Sequence, residues 1–176
     1  MNMKLNVGCG KDIRRGFINI DIVNIPGVDV VCDINDTLPF SNNSFDYIVC
    51  HDILEHVDLG KVLKELYRVL EDNGIIEIRV PHFTSSNNFI DPTHIKMFSF
   101  RTFDFFVNNK NNRRDYYYDF HFQKIIKCKI TFLSNNPINW PFIFFVNINN
   151  YTKKIYEETF LRNIAPAHNI EIQLKK

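Results

Sequence analysis

Short runs of Val and Ile, each closed by a turn residue, fill the first half of the chain and limit what it can fold into. "KLNVG" (Lys4–Gly8), "FINID" (Phe17–Asp21), "VDVVCD" (Val28–Asp33) and "FDYIVCH" (Phe45–His51) read as strands. They lack clean polar–apolar alternation, which is the pattern of strands buried on both faces. "LGKVLKELYRVL" (Leu59–Leu70) interrupts the series. Its Val62, Leu63, Leu66, Val69 and Leu70 recur at helical spacing over a polar back. Asn73-Gly74 is expected to stop that helix, and "IIEIRV" (Ile75–Val80) to return as a strand. Strands alternating with a crossover helix imply a parallel sheet.

The second half is less regular. "SFRTFDFFV" (Ser99–Val107) and "TKKIYEETFL" (Thr152–Leu161) read as helices, while "FQKIIKCKITFL" (Phe122–Leu133) and "IEIQLK" (Ile170–Lys175) read as strands of undetermined sense. No repeat or low-complexity linker divides the chain. Its 176 residues suit one domain. The expectation is an α/β, Rossmann-like, mostly parallel sheet with helices on both faces. Residues 4–82 form its first half, and 83–176 supply a second half with the closing strands.

Charge excludes some functions. The formal net charge is +1, which argues against a dedicated nucleic-acid binder, because phosphate neutralisation needs a clustered basic surface. The basic run "KNNRR" (Lys110–Arg114) reads as a solvated loop. Cys9, Cys32, Cys50 and Cys128 form no CxxC pair and read as reduced thiols of a cytoplasmic protein, with no signal peptide ahead of them. The apolar stretch Ile138–Ile148 is too short to span a bilayer. Inside it, Trp140, Phe142, Phe144 and Phe145 are expected to be core or a homodimer contact rather than a membrane contact.

The first turn carries the chemistry. In "LNVGCGKDIRRGFINIDI" (Leu5–Ile22), Gly8 and Gly10 follow a strand and would let a ligand approach the backbone. Asp21 ends the next strand, where a carboxylate can accept from ribose hydroxyls. A dinucleotide fingerprint would want a third glycine where Ile13 stands, and the gap to Phe17 is too short for a full crossover helix. Nicotinamide binding is disfavoured.

Further segments follow in order: Asp33 after the third strand, "LPF" and "SFDYI", "LEH", and "RVLEDNGIIEIRVP". With the opening "LNVGCG…GFINID", the chain over residues 4–100 resembles the small bacterial methyltransferase-11-like members of the class I S-adenosylmethionine-dependent methyltransferases. The resemblance implies S-adenosylmethionine as cofactor. It implies that Gly8, Cys9 and Gly10 pass its methionine part, that Asp21 holds the ribose, that Ile22 lies on the adenine, that Asp33 and the Ile34 backbone meet the adenine amino group, and that His51 faces the sulfonium. The chain departs from the family in its shortened first crossover, where only "KDIRRGF" is available. Arg14 and Arg15 there read as exposed turn residues, though either could pair with the cofactor carboxylate.

A small-molecule acceptor would enter beyond the fourth and fifth strands, since ligands of such sheets bind at the carboxyl edge. "DPTHIKMFSF" (Asp91–Phe100) resembles a DPTH segment of the same methyltransferases. It offers His94 as a general base with Asp91 to orient it. His82 of "VPH" is the reserve candidate, and His56 of "LEHV" reads as a structural histidine. His82, His94 and His121 match no familiar metal spacing, so no metal site is expected. The resemblance points to O-methylation of a sugar or phosphorylated precursor in polysaccharide biosynthesis. A small-amine N-methyltransferase and a non-catalytic cofactor-binding subunit are the alternatives.

Overall fold

The computed structural model describes residues 3–108 and 115–176. The basic run at Lys110–Arg114 lies outside them. The strands are β1 (Lys4–Val7), β2 (Ile18–Asp21), β3 (Val30–Val31), β4 (Phe45–His51), β5 (Leu70–Pro81), β6 (Lys124–Ile130) and β7 (Asn169–Lys175). They form one seven-stranded sheet in the order β3-β2-β1-β4-β5-β7-β6. The pairs from β3 through β5 are parallel, and β7 runs antiparallel to both β5 and β6. The strand order reverses beside β1, so the carboxyl ends of β1 and β4 flank the crevice where sheets of this kind bind ligands.

Helix α1 (Leu59–Val69) shows why the sequence folds this way. The Asp58 carboxylate caps it by accepting from the Lys61 amide at 3.1 Å. Leu59, Val62, Leu63, Leu66 and Val69 fall on one stripe and are buried. They join Leu5, Ile48, Cys50, Ile76 and Ile78 of the sheet, and Phe98, Phe103, Phe106 and Phe122 of the second half, in one core. Each such aliphatic side chain contributes roughly 1.5–3 kcal/mol when fully buried. Truncating Leu66 to Ala would cost about 2–5 kcal/mol. The short helix α2 (Asn87–Ile90) follows β5, and a second core joins Ile130, Phe132, Tyr156, Ala165 and Ala167, beneath α3 (Trp140–Phe145), α4 (Asn150–Glu158) and α5 (Leu161–Ile164).

Several local expectations differ from the structure. Asn73-Gly74 does not terminate the helix. Leu70 is already extended and pairs with Phe45, and Asn73 adopts a left-handed φ of 67° inside β5, where the register shifts. The helix expected over Ser99–Val107 is a 3-10 turn over Thr102–Phe106, and β3 keeps only Val30–Val31 of its expected run.

The helices are not shared evenly between the two faces. On β5 and β7, Ile76, Ile78 and Val80 and their partners Leu174, Ile172 and Ile170 are buried. The alternate residues Glu77, Arg79, Glu171 and Gln173 stay partly exposed, and Lys127 and Lys129 of β6 extend the same polar face. The α/β class holds, but this face carries a polar layer where a covering helix was expected.

No helix forms between β1 and β2. Buried polar side chains fix the turn instead. Asn6 Nδ2 donates to Asp12 O at 2.7 Å and to Asn19 Oδ1 at 3.0 Å, and Asn19 Oδ1 also accepts from the Arg14 amide at 2.9 Å. The shortened crossover is therefore a hydrogen-bonded loop. No helix of the described residues is long and apolar enough to cross a membrane.

Candidate active site

A pocket of about 200 Å³ opens at the carboxyl ends of β1, β2 and β3, lined by Val7, Gly8, Ile20, Asp21, Ile22, Cys32, Asp33, Ile34, Asn35, Ile53, His56 and Val57. Gly8, Asp21, Ile22, Asp33 and Ile34 were expected there from sequence; Ile53, His56 and Val57 were not. Gly8 has a left-handed φ of 59°, and a Cβ there would stand 2.8 Å from Ile53 Cγ1. Both facts demand glycine. Gly10 also has a left-handed φ, 48°, and its amide donates to Asp21 Oδ2 at 2.7 Å. Asp21 Oδ1 accepts from the Val23 amide at 2.9 Å. Asp21 thus braces the glycine turn while lining the pocket, and each carboxylate oxygen retains acceptor capacity. Asp33 Oδ1 accepts from the Asn35 amide at 2.8 Å and from Asn35 Nδ2 at 3.0 Å. Cys9 is buried and does not line the pocket. Burial first, and Asp21 second, push its thiol pKa up, so it is an inert thiol.

A wider groove runs along α1 past Ile34, Lys61, Lys64 and Arg68. Lys64 and Arg68 there pair with Asp119 and Glu65, and the groove lies apart from the glycine turn.

His51 does not face the first pocket. Its ring sits on the polar face of the sheet, where Nδ1 accepts from Arg14 Nη2 and Nε2 donates to Glu77 Oε1, each at 3.0 Å. Glu77 also accepts from Tyr47 and Gln173. Burial, then Arg79 and Arg14, hold the His51 pKa down, so the ring is neutral near pH 7. The same contact occupies Arg14, whose guanidinium otherwise pairs with Asp12.

His82 is not at the site either. It is fully buried, with Nδ1 accepting from Thr84 and Nε2 donating to Glu157 Oε1 at 3.0 Å. Burial would raise the Glu157 pKa, but bonds from His82, Ser99 and the Phe100 amide more than offset this and hold it low. The pair ties β5 to α4 and leaves His82 no free nitrogen.

His94 fares differently. A second cleft, lined by Asp52, Glu55, His56, Pro81, Asn87, Ile90, Asp91 and His94, adjoins the first pocket through His56. Glu55 is 1% exposed, and its carboxyl is pushed up to about 7, chiefly by burial. His94 Nε2 lies 3.9 Å from both Glu55 Oε1 and Asp91 Oδ2. The rings of His94 and His56 meet edge to face at 4.6 Å. Bonds from Thr93 hold the Asp91 carboxyl below the usual range. Asp52 takes a left-handed φ of 54° and is gripped by the Arg79 guanidinium. Asp52, Glu55 and His56 were missed as site residues. The available signal was two acids and a histidine in "DILEH", directly after β4. The histidines His82, His94 and His121 are not brought together; among the described residues, Glu55, His56 and His94 are the group whose donor atoms converge.

Residues 9–78 match the family model described as "Methyltransferase domain". The uncharacterized protein MJ0638 of Methanocaldococcus jannaschii is 32% identical over 82 residues, which cover 40% of this chain and only 36% of that protein. Among solved structures, a SAM dependent methyltransferase from Archaeoglobus fulgidus superposes with a TM-score of 0.65 at 21% identity, over 99% of this chain and 86% of the other. Phosphoethanolamine N-methyltransferase 2 of Haemonchus contortus, solved with S-adenosyl-L-methionine, gives 0.55 at 16% identity, over 100% of this chain and 49% of the other. These two likenesses establish the fold. The domain match takes in Gly10, Asp21, Asp33 and the stretch from Asp52 to His56.

Proposed function

We propose that the protein binds S-adenosylmethionine in the pocket between Gly8 and Val57 and methylates a small molecule held in the cleft between Asp52 and His94. One observation carries this reading: His56 lines both cavities, so a ligand in each would meet at its ring.

The residues fit the cofactor. The Asp21 carboxylate is placed to accept from a ribose diol, and Ile22, Ile34 and Ile53 offer apolar surface to an adenine. Asp33 is left to meet the adenine amino group, and Gly8 lets the ligand lie against backbone. When bound, the cofactor supplies an electrophilic methyl group, so the protein's work is to position the acceptor and remove its proton. His94 is the proton acceptor in this reading, with Asp91 and Glu55 on either side to stabilise the charged ring. His51 and His82 have no part in the step.

The acceptor we place first is a neutral hydroxyl compound, such as a sugar unit of a surface glycan. The glycan part rests on the likeness of the DPTH segment alone. Asp52, Glu55 and Asp91 surround the cleft, and that acidity disfavours a phosphorylated acceptor. The same acidity supports a second reading, a small cationic amine. A homodimer contact is proposed at Trp140, Phe144 and Phe145, which stand exposed and so are not core.

The test is methyl transfer from S-adenosyl-[methyl-³H]methionine into the low-mass fraction of a cell extract. Wild type should label an extractable compound, and His94→Ala should not. Cofactor binding with no label in any fraction would leave a non-catalytic subunit.

A further inference from the structure

We propose that Glu55, His56 and His94 form a binding site for a divalent transition ion of the zinc type. One donor atom from each lies within 4.8 Å of the others. Two imidazoles and one carboxylate form the donor set of open, three-ligand zinc sites, with the fourth position left for a water or substrate oxygen.

The side chains stand around a gap instead of bonding to one another. His94 Nε2 is 3.9 Å from Glu55 Oε1 and 3.9 Å from Asp91 Oδ2, beyond hydrogen-bond range. Tetrahedral ligands at zinc bond lengths are about 3.3 Å apart, so a bound ion asks only for a modest contraction. Glu55 Oε2 is buried with no hydrogen-bond partner, on a side chain 1% exposed. An unpartnered buried carboxylate oxygen is costly, and one at this cluster points to a missing group.

The surroundings also prepare a ligand. The Thr93 hydroxyl donates its only proton to Asp91 Oδ1 at 2.6 Å. Thr93 Oγ1 must then accept from His56 Nδ1–H at 2.8 Å. His56 is thereby fixed in the tautomer that leaves Nε2 with a free lone pair. A carboxylate acting through a second group to orient a ligating histidine is the usual outer shell of such sites. The fourth position opens on the cleft that also contains Asp52 and Asp91, where an acceptor oxygen would sit.

The binding claim stands on these side chains alone; its bearing on methyl transfer rests on the function proposed above. His94 would accept a proton in the metal-free protein and bind the ion in the loaded one. The test is calorimetric titration of chelator-treated protein with zinc chloride, with magnesium chloride as the contrast. Wild type should bind zinc at about one equivalent and ignore magnesium, which prefers oxygen ligands. His56→Ala and His94→Ala should abolish that binding, and Thr93→Val should weaken it by about ten-fold or more. Glu55→Gln, which keeps shape, serves if an alanine variant melts early, and it should also lose zinc. Titration of each variant with S-adenosylhomocysteine shows separately whether the cofactor pocket is intact. Absence of zinc binding overturns the proposal, as does zinc binding retained by His56→Ala, His94→Ala and Glu55→Gln.

Discussion

Replacing Asp21 tests whether one carboxylate braces the glycine turn and also holds the cofactor. Its oxygens already accept from the Gly10 and Val23 amides at 2.7 and 2.9 Å, and the remaining lone pairs line the pocket. Hydrogen bonds to a charged group contribute roughly 1.5–3 kcal/mol. Losing the ribose contacts should therefore weaken S-adenosylhomocysteine by roughly ten- to hundred-fold at 1.4 kcal/mol per decade. Removing the carboxylate also leaves the Gly10 amide unpaired, a further cost of about 1–3 kcal/mol in stability. Asp21→Ala should show both losses, one by calorimetry and one by thermal melting. Asp21→Asn should show both more mildly. Its amide oxygen can keep one backbone bond, while its NH₂ group faces the other N–H. Affinity within two-fold of wild type for Asp21→Ala would refute the assignment.

Gly8→Ala should lose most cofactor affinity, since the new Cβ meets Ile53 at 2.8 Å under a left-handed φ; calorimetry reads it. His82→Ala should destabilise the fold by about 2–4 kcal/mol in denaturant melts while leaving cofactor affinity unchanged, because it breaks a buried pair remote from the pocket. The Glu157 carboxyl is held below its ordinary value. Its stabilisation is thus full above the ordinary carboxylate range and lost as pH falls through the folded value. Melting temperatures of Glu157→Gln should accordingly fall less steeply into acid than those of wild type. Phe144→Asp, at an exposed aromatic, should reduce the mass seen by light scattering; an unchanged mass in a folded protein rejects the dimer contact.

Strand positions were legible because Val and Ile runs between turn residues leave few other choices. β4 matches its expected span, and α1 was readable from the stripe of Val62, Leu63, Leu66 and Val69. The pocket at the strand ends was legible because a glycine turn and an acid at a strand end are local features. The histidines were not. His51 ends β4 while His82 and His94 come after β5, and sequence gives no sign of which way a ring turns. Long-range partners decide that: Glu77 for His51, Glu157 for His82 and Glu55 for His94. The polar sheet face was hidden for a similar reason. Glu77, Arg79, Glu171 and Gln173 alternate with Ile, Val and Leu within β5 and β7, while the two-sided burial read in the first four strands led to the expectation of helices on both faces.

A crystal structure of the protein with S-adenosylhomocysteine tests the central claim most directly. The account predicts ribose hydroxyls on Asp21, adenine against Ile22 and Ile34 near Asp33, and the sulfur directed past His56 toward the cleft of Glu55 and His94. A ligand found in the groove along α1, or on the polar sheet face beside His51 and Glu77, would contradict it.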